Sequence, residues 1–378
     1  MAFSLTIANG RVIEPSQKKD NVQILYTKRK KMVEIPEKDS LAINAKDFLI
    51  TPGLVDAHTH VFYGGSELGM NADPSCIPMG VTTAIDAGSS GVFSWGALME
   101  NCIALSTVKI YAALNVISTG SPTLTFLQNS DPQYFDSLRL NYIKERYPEK
   151  FKAVFLQLSK STLENMAVRP LDAALKIADE LKLPLVVYVD DPPVDAGYIA
   201  SSLRPGDIFS LLYMPGKNGI LDDNGKVKEH VFKAQERGVL FDTASSFKNT
   251  SFAVIKKTLE QGFYPDIISS DSINPSIYQP NSYGLPFILS YMWEMGMELP
   301  DLIKAATSSP AAAFNLPGVG SLAAGNFADL AIFKIVEKPA TIKDSWNNQL
   351  AVNKWLVPML TTVEGKIAWR NMLFALAE

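Results

Sequence analysis

Eight short, almost uninterrupted apolar runs, separated by segments of helical spacing, constrain this 378-residue chain more than any other feature. They are Gly53–Ala57, Thr82–Asp86, Lys109–Asn115, Ala153–Leu158, Leu185–Val189, Asp207–Tyr213, Val239–Asp242 and Ile267–Ser270. A strand covered by helices on both faces has no polar side to alternate with, so near-continuous hydrophobicity marks a parallel sheet. Between the runs, Pro170–Leu181, Val227–Arg237, Phe252–Gln261 and Pro300–Thr307 read as helices. Eight such units over about 260 residues predict an α/β fold, a (β/α)8 TIM-like barrel.

The two ends of the chain are different in kind. Leu5–Ile7 and Arg11–Ile13 stand either side of the turn dipeptide Asn9-Gly10, and Val22–Tyr26 and Lys31–Ile35 flank a Lys28–Lys31 cluster like the arms of a hairpin. Near the other end, Ala328–Phe333 is a strand and Leu360–Val363 faces Lys366–Trp369 across Glu364-Gly365. The expectation is a small β-sandwich formed by both termini, residues 1–52 with 313–378, and a barrel over residues 53–312.

Composition narrows the function classes. Hydrophobic residues are 47% and charged residues 20%, which excludes a disordered or coiled-coil chain. With 35 Lys and Arg against 39 Asp and Glu the formal charge is −4, so no basic surface speaks for nucleic acid. The four-residue basic cluster is read as a turn. No stretch of ~18 apolar residues is present, so no membrane span is expected. The first ten residues lack the basic start and apolar run of a signal peptide, which makes the cytoplasm the expected address. Cys76 and Cys102 are the only cysteines, too few for a disulfide framework or a thiolate zinc site.

Only three histidines occur: His58, His60 and His230. Any mechanism needing four imidazoles is thereby excluded. The first barrel strand runs into Asp56-Ala57-His58-Thr59-His60, and catalytic groups of a barrel sit at the C-terminal ends of its strands. Alternate residues of an extended segment point the same way, so His58 and His60 present both imidazoles to one point, which suits a divalent transition metal, zinc above all. His230 falls in an amphipathic helix start and is read as a surface residue.

The segment Thr51–His60 resembles the opening motif of the amidohydrolase superfamily. Gly80–Ser89 resembles the strand that follows it, and Ala306–Ala312 and Gly325–Leu330 resemble the segments leading out of that barrel. Within the superfamily the chain is most similar to dihydroorotase-like proteins of a bacterial deacetylase-like branch, through Lys182–Tyr188, Arg204–Ile208, Arg237–Asp242 and Pro265–Asp271.

The resemblance implies a two-metal site built from a strand-1 histidine pair, a carboxylated lysine on strand 4, histidines on strands 5 and 6 and an aspartate on strand 8. His58, His60 and Asp271 match. Phe155 falls at the bridging lysine, Tyr188 at the strand-5 histidine and Leu211 at the strand-6 histidine. Lys152 and Lys160 lie three or more positions from Phe155, a displacement at about 3.3 Å per residue that no ligand tolerates.

The remaining set is His58, His60 and Asp271, with Asp271 also the catalytic base and Tyr188 a substrate-binding phenol. It implies at most one divalent metal per chain, or none. The expected activity is hydrolysis of an amide or ester bond in a small molecule; the alternative is a catalytically silent barrel kept for binding or assembly. A small-molecule substrate is the expected partner, and a homo-oligomer the expected assembly. Tyr63–Gly65 and Asn281–Gly284 are read as mouth loops.

Overall fold

The computed structural model describes residues 4–125, 128–160, 166, 168–246, 248–277 and 283–374. Residues Asn281 and Ser282 of the expected mouth loop lie outside these.

Seven short strands come first: β1 (Leu5–Ala8), β2 (Arg11–Glu14), β3 (Lys19–Val22), β4 (Leu25–Lys28), β5 (Lys31–Val33), β6 (Leu41–Asn44) and β7 (Leu49–Pro52). The basic cluster is indeed a turn, with Lys28 paired to Lys31 and Arg29 at φ 53°. Asn9-Gly10 does not close a hairpin. β1 pairs with β4 and β6, whereas β2 pairs with β3 and β7, so the dipeptide is a corner at which the chain changes sheet.

The central parallel sheet follows, with β8 (Leu54–Thr59), β9 (Val81–Ala87), β10 (Lys109–Asn115), β11 (Phe151–Leu158), β12 (Leu185–Val189), β13 (Ile208–Ser210) and β14 (Leu240–Asp242) hydrogen-bonded in chain order. It curls into a barrel-like form. Val55, Ala57, Ala153, Phe155, Val186 and Ile208 pack with one another inside, while Leu54, Val154, Leu156, Val187 and Phe209 pack outward against helices.

The helix Arg169–Leu181 shows how the covering layer forms. Leu171, Ala174, Ile177, Ala178 and Leu181 fall on one buried stripe, and Pro170 occupies the first turn, where no intrahelical N–H bond is lost. Lys182 in the left-handed region (φ 52°) ends it.

Two expected strands differ. Asp207–Tyr213 shrinks to β13, because Leu211 adopts φ 70° and breaks the extended run. The Ile267–Ser270 segment makes only a single parallel bridge, Asp242 to Ile267, with a second just beyond it, Thr59 to Ser272. The Ile267 amide still donates to the Phe241 carbonyl (3.1 Å), but the next three turn to other acceptors: Ile268 to the Ala305 carbonyl (2.9 Å), Ser269 to the Thr243 hydroxyl (3.0 Å) and Ser270 to the Asp56 carboxylate (3.0 Å).

The chain returns to the first sheets through β15 (Leu330–Lys343), β16 (Gln349–Val363) and β17 (Lys366–Arg370). β15 pairs antiparallel with β7, Ile332 opposite Ile50, so strands from both ends share one six-stranded sheet. Leu5, Ile7 and Ile43 of the four-stranded sheet pack with Ile50, Ile332 and Leu360 in a second, smaller core. Among the described residues no helix is long and apolar enough to cross a membrane.

Candidate metal centre

His58 and His60 sit at the end of β8, one residue apart, and Asp271 reaches them from the segment after Ile267. The Asp271 amide donates to the His58 carbonyl (2.8 Å), and this residue holds φ 45°, a conformation that turns its carboxylate back over β8. Asp271 Oδ1 lies 3.7 Å from His58 Nε2 and 3.3 Å from His60 Nε2. One ligand atom from each of the three falls within 4.8 Å of the others, and all three side chains are buried. Ligands 2.0–2.2 Å from one tetrahedral ion lie about 3.3–3.6 Å apart, so the spacing fits a single metal.

Two further observations fit a cation. His58 Nε2 is a buried nitrogen without a hydrogen-bond partner among the described residues. Four buried aspartates, Asp56, Asp86, Asp242 and Asp271, also surround the two imidazoles. Burial pushes Asp56 up to about 6, against the two hydrogen bonds from Ser270, and raises Asp86 as well. Burial opposes charge on His58, but pairing with Asp242 and the nearby Asp271 and Asp56 carboxylates outweighs it, so the imidazole pKa rises.

The outer nitrogens of the two rings are held by hydroxyls. His58 Nδ1 meets Ser210 Oγ at 2.9 Å, and Ser210 Oγ donates to Asp242 Oδ2 at 2.6 Å. His60 Nδ1 meets Ser89 Oγ at 2.8 Å, and Ser89 donates its amide to Asp86 Oδ1 at 3.1 Å. The second oxygen of Asp271, Oδ2, accepts from the Tyr188 phenol at 3.0 Å, which in turn accepts from Asn249 Nδ2 at 2.9 Å. Burial and the adjacent Asp271 carboxylate raise the Tyr188 pKa, so the phenol keeps its proton and donates.

His58, His60, Tyr188, Asn249 and Asp271 line a cleft of about 290 Å³ at the strand ends, shared with Phe155, Gln128 and Gln157. Phe155 points inward as expected, its ring 5.8 Å from that of His58. Leu211 does not. It lies over a separate cavity on the helix side, with Val189, Ala196 and Phe209, and the residue that faces His58 from β13 is Ser210. The expected register was one residue out, which turns a strand side chain to the opposite face.

Lys152 sits beside Tyr111 and Glu149 at the other end of β11, Lys160 is exposed and paired with Asp191 at 3.0 Å, and His230 is exposed on the helix Glu229–Glu236. The supporting residues Ser89, Asp86, Ser210, Asp242 and Asn249 carried no role in the sequence reading. Asp86, Ser210 and Asp242 stand at the C-terminal ends of barrel strands, and that position was the available signal.

Gly88 underlies Phe155. It holds φ 71°, and a Cβ built there would stand 2.2 Å from the Phe155 ring. Gly88→Ala should therefore destabilise the chain by about 2–4 kcal/mol, from left-handed strain and overpacking together. Urea denaturation reads this directly, and an unchanged midpoint would show that the ring moves aside without cost.

The chain is also similar to known proteins in sequence and in fold. Residues 218–367 match the model of the amidohydrolase family. A deacetylase of Brucella anthropi is 29% identical over 332 residues, spanning 85% of this chain and 80% of that protein, and a deacetylase of Enterococcus faecalis is 24% identical across 97% and 99%. In fold the chain is similar to a solved adenine deaminase (TM-score 0.90, 23% identity, 98% of this chain and 100% of that one) and to a solved dihydroorotase (TM-score 0.87, 23% identity, 97% and 98%). With the histidine pair at the end of the first barrel strand, the chain is similar in sequence to amidohydrolases and deacetylases, and in fold to the adenine deaminase and the dihydroorotase.

Proposed function

We propose that this protein hydrolyses an amide or ester bond in a small molecule, in the manner of the deacetylases it is similar to, with one divalent metal, zinc, at His58, His60 and Asp271. The convergence of two imidazole nitrogens and one carboxylate oxygen, with His58 Nε2 buried and unpartnered, carries this reading. The two histidines would hold the ion through Nε2 and Asp271 through Oδ1. Bound there, the ion supplies Lewis acidity, polarising a carbonyl and lowering the pKa of water.

Asp271 accepts the proton of the attacking water on its carboxylate and passes it to the leaving group. Tyr188 lines the same cleft with its phenolic proton in place and is assigned to substrate contact. Phe155 closes the strand-4 position with an apolar ring, where a second cation would be poorly solvated. Ser210, not a leucine, occupies the strand-6 position, yet its hydroxyl is committed to His58 and Asp242. The same reading takes residues 53–312 as a (β/α)8 barrel with 267–272 as its eighth strand, and 1–52 with 313–378 as a sandwich. It also places the chain in the cytoplasm, in keeping with two free, buried cysteines.

Metal content per chain, measured after purification without chelators and again after saturation with zinc, tests the site. The expected result is one ion per chain at saturation. Two ions would overturn the one-site reading. None under saturating zinc would favour the silent barrel, for which the apolar Phe155 is the supporting observation.

A further inference from the structure

The three proposed ligands share a feature that the family resemblance does not supply. Each is gripped on its far atom by a hydroxyl: His58 Nδ1 by Ser210, His60 Nδ1 by Ser89 and Asp271 Oδ2 by Tyr188. Two of the hydroxyls are held in turn, Ser210 on Asp242 and Tyr188 by Asn249, and Ser89 is fixed through its backbone amide on Asp86. From this arrangement we infer that Ser210 and Ser89 are positioning residues that fix both histidines as Nδ1–H tautomers, leaving each Nε2 lone pair aimed at the metal position. The inference rests on the metal reading above.

The proton direction follows from the acceptors. Ser210 Oγ donates to Asp242 Oδ2, 2.6 Å away, and a hydroxyl has only one proton to give. Ser210 Oγ then has only lone pairs to offer His58, and the ring must donate from Nδ1. The other oxygen of Asp242 is occupied by Ser269 Oγ, also at 2.6 Å, so the carboxylate cannot swing away. His60 stands in the same relation to Ser89, whose hydroxyl meets Nδ1 at 2.8 Å while its amide donates to Asp86 Oδ1, and the same sense is assigned there. All of these groups are nearly inaccessible to water: His58 is 1% exposed, Ser210 0%, Ser89 1% and Asp242 2%.

This support answers a loss. Without the bridging lysine or a strand-6 histidine, one ion must be held by three side chains alone, and rings free to rotate or to exchange tautomers would hold it weakly. Partners behind the ligating atoms are worth 10–100-fold in metal affinity. Strand β13 therefore still serves the site, from behind a ligand.

The test uses the full chain and exploits its three histidines, which give only three ring systems after 15N-histidine labelling. In metal-free protein at alkaline pH, two buried rings should show the Nδ1–H tautomer and exposed His230 the ordinary mixture. Ser210→Ala and Ser89→Ala should each release one ring from that tautomer and weaken zinc binding 10–100-fold, read by competition with a chromophoric chelator. Losing a buried hydroxyl lowers the metal-free melting temperature as well, so the zinc loss is compared with it, and Ser210→Thr, which keeps the hydroxyl, should restore tautomer and zinc affinity together.

Asp242→Asn offers a second route that keeps the side-chain shape. An amide donating to Ser210 turns that proton toward His58 Nδ1, so the ring should switch to Nε2–H and lose zinc. Tautomers unchanged in the serine variants would overturn the inference. So would zinc affinity that falls only in step with melting temperature, since that is a packing effect. A parent chain that binds no zinc but whose rings still switch tautomer would remove the proposed function and leave the positioning role standing.

Discussion

Replacing His58 and His60 together by alanine should abolish zinc binding and any hydrolysis of an amide or ester, while the barrel stays folded. The change removes both nitrogen ligands, and a lone carboxylate cannot hold a transition ion tightly against water. Folding should survive because the barrel core is built from side chains such as Val55, Ala153, Val186 and Ile208 inside and Leu54, Leu156 and Phe209 outside, none of which depends on the imidazoles. Circular dichroism and a metal assay on the same sample separate loss of site from loss of fold. Turnover by the double variant at the parent's rate would sink the metal-dependent reading.

In the parent, zinc affinity should fall as pH falls, because Nε2 must be unprotonated to bind. The raised pKa of His58 makes proton competition begin at a higher pH than for an ordinary imidazole, with about tenfold lost per pH unit for each proton displaced. An affinity flat from pH 8 to pH 5 would mean that His58 is not a ligand.

The histidine pair was legible in the sequence because two constraints coincided: alternation in an extended segment, and the rule that places active groups at the C-terminal ends of barrel strands. Asp271 came only with the family resemblance, since nothing local distinguishes it from a loop carboxylate. The Leu211 register failed for a physical reason. Ile208–Tyr213 is apolar at nearly every position, because its strand is buried on both faces, and such a run contains no periodicity from which to tell inside from outside. The left-handed turn at Leu211 then ends the strand where hydrophobicity alone continues it.

The eighth strand was harder still. Ile267–Ser270 has the composition of a strand, but three of its four amides go to a distant carbonyl, a threonine hydroxyl and an aspartate, and pairings of that kind leave no trace in local sequence. The hydroxyl grips on the two imidazoles are invisible for the same reason: Ser210 is 152 residues from His58. Strand ends could be listed from the sequence, but which of them meet could not.

Lys109→Met should destabilise the chain by about 3–5 kcal/mol at neutral pH, the range for leaving one member of a buried ion pair without its partner. Lys109, at the start of β10, holds Asp329 at 2.8 and 3.2 Å, with 11% and 6% of the two side chains exposed. Asp329 stands where the chain leaves the barrel for β15; its carbonyl accepts the Gly53 amide (2.8 Å) and its carboxylate the Glu364 amide (2.7 Å). The pair thus joins the parallel sheet to the sheet shared by both termini.

Burial raises the Asp329 pKa and Lys109 pulls it back, so removing the lysine lifts it further. The folded variant then keeps a proton that its unfolded chain has released, and its stability declines as pH rises through that interval. Relative to the parent, the deficit should be full at pH 7.5 and shrink toward pH 4.5, as Asp329 becomes neutral and needs no cation. Lys109→Met combined with Asp329→Leu should recover most of the loss, because no unpaired charge is left buried. Urea denaturation of the parent and both variants at the two pH values decides it: a deficit independent of pH would assign the loss to the lysine's packing over Phe327, 4.5 Å from its ammonium, and not to the stranded carboxylate.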